Sequence, residues 1–333
     1  MKSFVFKALL VIFAMLGVSA GGIAWYAHRP LAIGAPELDF TVARGATMRQ
    51  AAAAIAAAGV PVEPRLLYWI ARIGGRADRI VAGSYVAAEG ITPWLLILKI
   101  ANGEVTRSDI LLVEGWNFRQ VRAAVEAHPY LLKDTEGMGD TELLAAIGAT
   151  ESHPEGLFFP DTYVFDRHSS ALAVFREAYR AMQRKLEEAW NMRDPATPLK
   201  TPYEALILAS IIEKETGQAQ ERGLVASVFS NRLRIGMRLQ TDPTVIYGFG
   251  EGFEGRLRRR HLDTDHDYNT YMRGGLPPTP IAMPGWHSLE AAVKPVQSEY
   301  LYFVARGDGT SVFSRNLTDH NRAVNQYQRG GQM

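Results

Sequence analysis

The sequence predicts an α+β protein in three parts: a membrane-spanning N-terminal helix, a small α/β region of strand-helix units, and a larger, mainly helical domain that carries a β-hairpin. Three observations predict it. An uncharged apolar stretch of 20 residues opens the chain, a charge-Gly-x-cap pattern recurs through the first part, and the second part reads as helices separated by a long Gly/Pro-rich loop. At 333 residues the chain is long enough for two domains with cores of their own.

In chain order, Lys2 and Lys7 precede residues 8–27, a run of the length needed to cross a bilayer core, and Trp25 and Tyr26 fall where an interfacial aromatic belt belongs. Ser19-Ala20-Gly21-Gly22 offers small residues for cleavage of a signal peptide. The apolar run continues past them to Tyr26, which favours an uncleaved anchor. Two lysines before the span against Arg29 after it favour a cytoplasmic position for residues 1–7. Residues 28–36, with two prolines and a glycine, read as a linker, and residues 38–43 alternate like a strand.

Arg44-Gly45-Ala46-Thr47, Glu89-Gly90-Ile91-Thr92 and Glu114-Gly115-Trp116-Asn117 then share one pattern. Glycine permits a tight strand exit and Thr or Asn caps the helix that follows. Residues 37–132 are therefore expected to hold small strand-helix units, among them helices over 48–58 and 93–102. The polar segment 133–141 is the expected boundary with the second domain, 141–330. There the periodicity predicts helices near 171–190, 202–216, 221–235 and 318–328, and a hairpin over 300–314 turning at Arg306-Gly-Asp-Gly309. Residues 248–285 form a long irregular stretch of the kind usually kept for function.

Lys plus Arg at 36 against Asp plus Glu at 35 leaves no global field, so nucleic acid is not an expected partner. The absence of cysteine excludes disulfides, thiol catalysis and Cys-ligated zinc. Gly250-Glu-Gly-Phe-Glu-Gly255 spells G-x-G-x-x-G, but Arg256-Leu-Arg-Arg-Arg260 follows it instead of an apolar helix. His261-Leu-Asp-Thr-Asp-His-Asp267 lacks helical ligand spacing and reads as a solvated turn, and the arginine run before it as a solvated face. Asn316-Leu-Thr318 is a glycosylation triplet by spelling only.

The most informative run is Tyr203-Glu-Ala-Leu-Ile-Leu-Ala-Ser-Ile-Ile-Glu213-Lys-Glu215-Thr216. Thr201-Pro202-Tyr203-Glu204 has capping-box spacing with proline at the first helical position, and Gly217 is a plausible stop. Residues 205–212 contain one polar side chain, Ser210, as expected of a helix buried on every face. Glu213 continues that buried face at the negative end of the helix dipole. Both circumstances disfavour its charged form and suit a general acid. The competing reading is an ordinary last-turn Glu facing water, paired with Lys214 or Arg222.

Three further motifs could serve such an acid. In Glu155-Gly-Leu-Phe-Phe-Pro-Asp-Thr-Tyr163, Gly156 and Pro160 prevent a plain helix, and the aromatic Phe159 and Tyr163 with Glu155 could line a glycan groove or plug a core. Gln240, Thr241 and Asp242 precede Pro243 as a capped helix start leading to Tyr247, and offer groups for sugar hydroxyls or for the turn itself. Asp267-Tyr-Asn269-Thr270-Tyr271, with Gly274-Gly-Leu-Pro-Pro278 and Pro280-Ile-Ala-Met-Pro-Gly285, could wall a cleft, or the prolines could simply stiffen a loop.

Together Glu155–Tyr163, Ala209-Ser-Ile-Ile-Glu-Lys-Glu215, the run from Ser230 to Gly248 through Gln-Thr-Asp-Pro-Thr, Tyr268-Asn-Thr-Tyr271 and Gly275-Leu-Pro-Pro278 closely resemble the YceG-like endolytic murein transglycosylases. The Gly-x-Thr openings of residues 37–132 resemble a LysM module, a small fold associated with peptidoglycan. The resemblance implies an enzyme of the bacterial inner membrane, single-pass, with its catalytic domain periplasmic. It implies cleavage of the MurNAc–GlcNAc bond within nascent peptidoglycan strands, leaving 1,6-anhydroMurNAc ends that terminate glycan elongation. It places the catalytic acid at Glu213, with Glu215 a lesser candidate. With that acid, Glu155, Phe159, Tyr163, Gln240, Thr241, Asp242, Tyr247, Asn269 and Thr270 are the expected substrate contacts, and the reaction requires no metal or cofactor; the resemblance also suggests peptidoglycan synthases as partners. Two rival functions stay open: a hydrolytic muramidase in which Asp242 or Glu155 activates water, and a membrane-anchored, non-catalytic peptidoglycan-binding scaffold.

Overall fold

The computed structural model describes residues 2–250, 253 and 255–330. The Glu251, Gly252 and Glu254 positions of the rejected glycine motif lie outside them. Two compact units emerge, one made of residues 1–109, 130–132 and 164–169 and the other of 110–129, 133–163 and 170–333.

The first unit begins with α1 (Lys2–His28), of which Leu9–His28 is long and apolar enough to cross a membrane. β1 (Glu37–Val42) pairs antiparallel with β2 (Gly83–Ala88), with Phe40 opposite Tyr85 and the two rings stacked 5.5 Å apart. Between them run α2 (Met48–Ala57) and α3 (Pro64–Ile73), and α4 (Pro93–Asn102) follows β2. The core gathers Phe40, Val42, Ile55, Leu67, Tyr85, Leu96 and Ile100. The expected linker at 28–36 is tied down. Leu31 donates to the Ile91 carbonyl and accepts from Gly90 N–H, while the Glu89 carboxylate accepts from Ile33 and Gly34 N–H. A Pro/Gly composition marks an irregular backbone, which here spends its hydrogen bonds on the β2–α4 turn.

The chain continues through β3 (Arg107–Leu111), α5 (Phe118–Ala127), β4 (Leu131–Leu132), α6 (Asp140–Ile147), β5 (Thr162–Asp166) and β6 (Ser169–Ser170), with β3 paired to β5 and β4 to β6. The units do not divide at 133–141 as expected. α5 belongs to the second unit because Phe118 stacks on Phe158 at 5.4 Å and both rings meet Phe175. The 133–141 segment is folded against α5: Thr135 is fully buried, and Arg122 bonds Asp140 at 2.9 Å and the Met138 carbonyl.

The rest of the second unit comprises α7 (Ala171–Asn191), α8 (Pro202–Glu215), α9 (Ala219–Arg234), α10 (Asp242–Phe249), α11 (Arg259–Asp263), α12 (Trp286–Val293), the antiparallel pair β7 (Tyr302–Ala305) and β8 (Ser311–Ser314), and α13 (Leu317–Tyr327). α8 is the axis of this unit. Residues 205 to 212 are all buried, as an all-round apolar helix requires, and α7, α9, α10 and α12 pack on it. Thr201 caps it by accepting from Glu204 N–H, but the Glu204 carboxylate accepts from Lys200, so the capping box is incomplete. His261 is buried against Phe249 and Phe253 where a solvated turn was expected.

Candidate active site

Glu213 stands half-buried in the last turn of α8. That end is one of two helix termini its carboxyl meets. Pro284 stops the preceding loop and Gly285 opens α12. Gly285 N–H donates to Glu213 Oε2 at 3.0 Å, and the Ser288 hydroxyl, fully buried, donates to the same oxygen at 2.7 Å. A helix N-terminus presents unpaired donors to an anion, so α12 fixes the orientation of a carboxyl that α8 only delivers. Neither Gly285 nor Ser288 was singled out for this from the sequence. The signal available was a Gly-x-x-Ser start to an apolar run.

A third element completes the surroundings. Gly115 N–H donates to the Met283 carbonyl at 2.8 Å and Met283 N–H to Trp116 at 2.7 Å, which lays the 114–116 turn alongside the 283–285 segment. Lys214 Nζ donates to the Gly115 carbonyl. Glu114 lies so close to Gly285 that a Cβ there would fall 1.9 Å from its Oε1. Burial raises the pKa of Glu114, and the charge of Glu213 raises it further. Glu114 also escaped sequence reasoning, which used it only as part of the repeat.

Beside this cluster opens a cleft of about 680 Å³ whose walls include Gly115, Phe118, Arg119, Glu155, Lys214, Tyr247 and Tyr268. Glu213 borders it through its neighbours Lys214 and Gly115, without lining it directly. The expected site residues divide sharply here. Glu155 and Tyr247 lie on the cleft and touch: Glu155, 3% exposed, accepts from Phe118 N–H at 3.0 Å and from the Tyr247 hydroxyl at 3.1 Å. Burial pushes Glu155 up to about 7 against these bonds and the nearby Arg119. Tyr247 stands edge-on to Tyr268 at 4.9 Å. These rings and the Glu155 carboxyl give the cleft the mixture of apolar faces and polar groups that sugar binding uses.

The structure places Phe159 and Tyr163 in the core, off the cleft. Tyr163 is buried and its hydroxyl donates to the Phe159 carbonyl at 2.6 Å, so the polar tip that could have met a sugar is satisfied inside. Asn269 is fully buried. Its amide donates to the carbonyls of His261, Leu262 and Thr264 and its carbonyl accepts from Tyr271 N–H, which fastens the 261–271 loop. Thr241 and Thr270 are buried too. Thr270 Oγ1 accepts from Thr241 N–H, and Thr241 Oγ1 donates to Glu215 Oε1. Gln240 is exposed with φ of +50°, its N–H given to Thr270, and Asp242 accepts from the Tyr271 hydroxyl at 2.6 Å. Glu215 thus sits in this threonine network. Burial pushes its carboxyl up to about 7, opposed by the Thr241 bond.

Similarity to known proteins extends over most of the chain. The model of the YceG-like family matches residues 40–326. A Bacillus subtilis protein named endolytic murein transglycosylase is 31% identical over 268 residues, covering 75% of this chain and 74% of its own length. A Streptococcus pneumoniae protein of the same name is 31% identical over 178 residues, 52% of this chain and 32% of that one. The crystal structure of a YceG-like protein from Listeria monocytogenes superposes with a TM-score of 0.54 at 28% identity, over 86% of this chain and 98% of that one.

Proposed function

The chain belongs to the YceG-like family, and from that premise we propose that it is an endolytic lytic transglycosylase of peptidoglycan with Glu213 as its acid-base residue. The observation that carries the assignment is the carboxyl of Glu213, delivered by the apolar α8 and bonded through Oε2 to Gly285 and Ser288, beside a cleft of about 680 Å³. Because both donors engage Oε2, the proton of the acid form resides on Oε1. Glu213 gives that proton to the glycosidic oxygen as the bond from the MurNAc C1 to the GlcNAc O4 breaks. As carboxylate it then takes the proton from the MurNAc C6 hydroxyl while O6 bonds to C1 and closes the 1,6-anhydro ring. The substrate's own hydroxyl replaces water, so one carboxyl suffices where a hydrolase sets two about 5 to 9.5 Å apart. Glu155, Tyr247 and Tyr268 orient the sugar.

In the same reading α1 is a single-pass anchor in the inner membrane with residues 1–7 cytoplasmic and both units periplasmic. The β1–α2–α3–β2 arrangement supports a LysM-like peptidoglycan-binding role for the first unit, and peptidoglycan synthases are its functional neighbours. Mass spectrometry of uncrosslinked nascent strands tests the central claim. The parent chain yields anhydro-ended fragments without added water, and Glu213→Gln yields none while remaining folded. Products heavier by one water mark a muramidase, for which Glu155 on the cleft wall is the available second acid. Intact strands with retained binding mark a scaffold.

A further inference from the structure

α1 does not end in a flexible tether. Its last turn is built into the first unit: Ala27 is buried in the core with Leu31, Ile23 and Tyr26 pack against that core, and the Tyr26 hydroxyl accepts from Glu63 N–H at 2.9 Å. Arg29 lies over the rings of Trp25 and Tyr26, 5.6 and 4.7 Å from their centroids. Residues 31–34 are then bonded to the turn at 89–91, as described above. Trp25, Tyr26 and Arg29 are the residue types that mark the headgroup level. Glu63 is the N-cap of α3, so the bond to Tyr26 fixes the start of α3 at that same level.

α3 is the helix that should then meet the bilayer. Leu67, Ile70 and Ala71 bury one face in the core. A different stripe, Leu66, Trp69 and Ile73, is 39%, 54% and 68% exposed, and its members fall within an arc of about 60° at 100° per residue. A large aromatic and two aliphatic side chains aligned in water are costly unless something covers them. Arg65 and Arg72, seven residues apart and both exposed, run alongside the stripe, and α3 itself contains no acid. Arg72 meets the highly exposed Asp78, at 3.6 Å. An apolar stripe flanked by arginines, on a helix that begins at the headgroup level, matches an interfacial helix.

We propose that α3 is a second membrane contact, lying in the bilayer surface beside the anchor with Leu66, Trp69 and Ile73 in the headgroup–acyl boundary and Arg65 and Arg72 against anionic headgroups. The first unit is thereby held flat on the membrane, which sets a fixed height for whatever glycan it binds. The inference rests on the reading of α1 as a bilayer span.

The chain has no cysteine, so single cysteines can be introduced for spin labelling without removing any. Full-length Leu16→Cys, Ile73→Cys, Trp69→Cys and Leu317→Cys are reconstituted into phosphatidylcholine–phosphatidylglycerol vesicles. The accessibility of each label to oxygen, which partitions into lipid, is compared with that to an aqueous nickel chelate. The expected result is oxygen-favoured labels at Leu16, Trp69 and Ile73 and a chelate-favoured label at Leu317 on α13. Arg65→Glu with Arg72→Glu then shifts the Ile73 label severalfold toward the chelate and leaves Leu16 unchanged. Ile73 and Trp69 labels as wet as Leu317, with Leu16 in lipid, overturn the proposal and leave the anchor standing. A Leu16 label in water overturns the anchor and the proposal together. Labels on α3 shielded from both reagents indicate a protein cover and overturn the lipid assignment.

Discussion

Replacing Glu155 by glutamine should flatten the pH dependence of stability without emptying the site. Glu155 is 3% exposed and its carboxyl is pushed from 4.5 up to about 7, with burial as the main cause. The folded state therefore prefers the protonated group more than the unfolded chain does. The associated stability is fully present below pH 4.5 and is lost as pH rises through about 7. A shift of that size corresponds to about 3 kcal/mol, at about 1.4 kcal/mol per pKa unit. Glutamine can keep both existing bonds, its carbonyl accepting from Phe118 N–H and its amide donating to the Tyr247 oxygen, so the variant should fold. Glu215, also pushed up to about 7, titrates in the same window with the same sign in both proteins, so the difference between parent and variant isolates Glu155. Denaturant midpoints for parent and Glu155→Gln, measured across this window, should show the variant gaining on the parent by about 3 kcal/mol between its acidic and alkaline ends. An equal loss in both proteins would refute the argument that burial of this carboxyl dominates its hydrogen bonds.

Ser288→Ala removes one of the two donors to Glu213 and nothing else of comparable size. A hydrogen bond to a charged group is worth about 1.5–3 kcal/mol, so the rate of anhydro-end formation should fall about 10- to 100-fold at saturating glycan with KM little changed; an unaltered kcat would show that α12 does not orient the acid. Asn269→Ala should lower the thermal midpoint and destabilise the second unit by about 3 kcal/mol, since three backbone carbonyls lose their donor; a variant with the parent's midpoint but weakened glycan binding would return Asn269 to the list of sugar contacts. Gly156 has φ of +79° and a Cβ there would fall 2.4 Å from Pro280 Cβ, so Gly156→Ala should cost at least about 1–3 kcal/mol and increase proteolysis around Pro280; an unchanged cleavage rate would show that the contact yields at no cost.

The local part of the fold was legible because its causes are local. Gly45, Gly90 and Gly115 have φ near +75 to +80°, and Thr47, Thr92 and Asn117 cap α2, α4 and α5 with their side chains, as the repeated pattern implied. The helices that went unnamed share a different trait. α6 and α12 start at Gly139 and Gly285, which have no side chain to cap with, and α3 and α11 start at Glu63 and Arg258, unusual caps, so none carries the Ser/Thr/Asn/Asp signal that marks a helix start. The site was half legible for a similar reason. The buried run that ends at Glu213 could be read from the helix that bears it. The two donors to Glu213 lie 72 and 75 residues away and depend on how α12 packs on α8, which no periodicity within either segment encodes. Asn269 and Thr270 look the same in sequence whether they face a sugar or a loop, because hydroxyls and amides serve both; only the partners decide.

Glu213 and Glu215 show how packing settles what spacing leaves open. Two residues apart on a helix, their side chains leave the axis about 200° apart, so one turn of α8 sends two carboxyls into different surroundings. Glu215 meets Thr241, itself 2% exposed, and is held within the network that links Gln240 to Thr270. A proton on that carboxyl has a structural use, since it relieves the cost of burying the charge. Among the described residues the two donors to Glu213 both hold Oε2, and Glu213 lies next to the cleft residues Gly115 and Lys214, so in the function proposed Oε1 can exchange a proton without breaking either of those bonds. A group that must give up a proton and retrieve one in a single turnover needs that separation between the bonds that hold it and the atom that reacts. The same carboxylate chemistry thus becomes a structural fastening at one position and, in the function proposed, an acid-base group at the other, by the choice of which helix terminus or loop each is packed against.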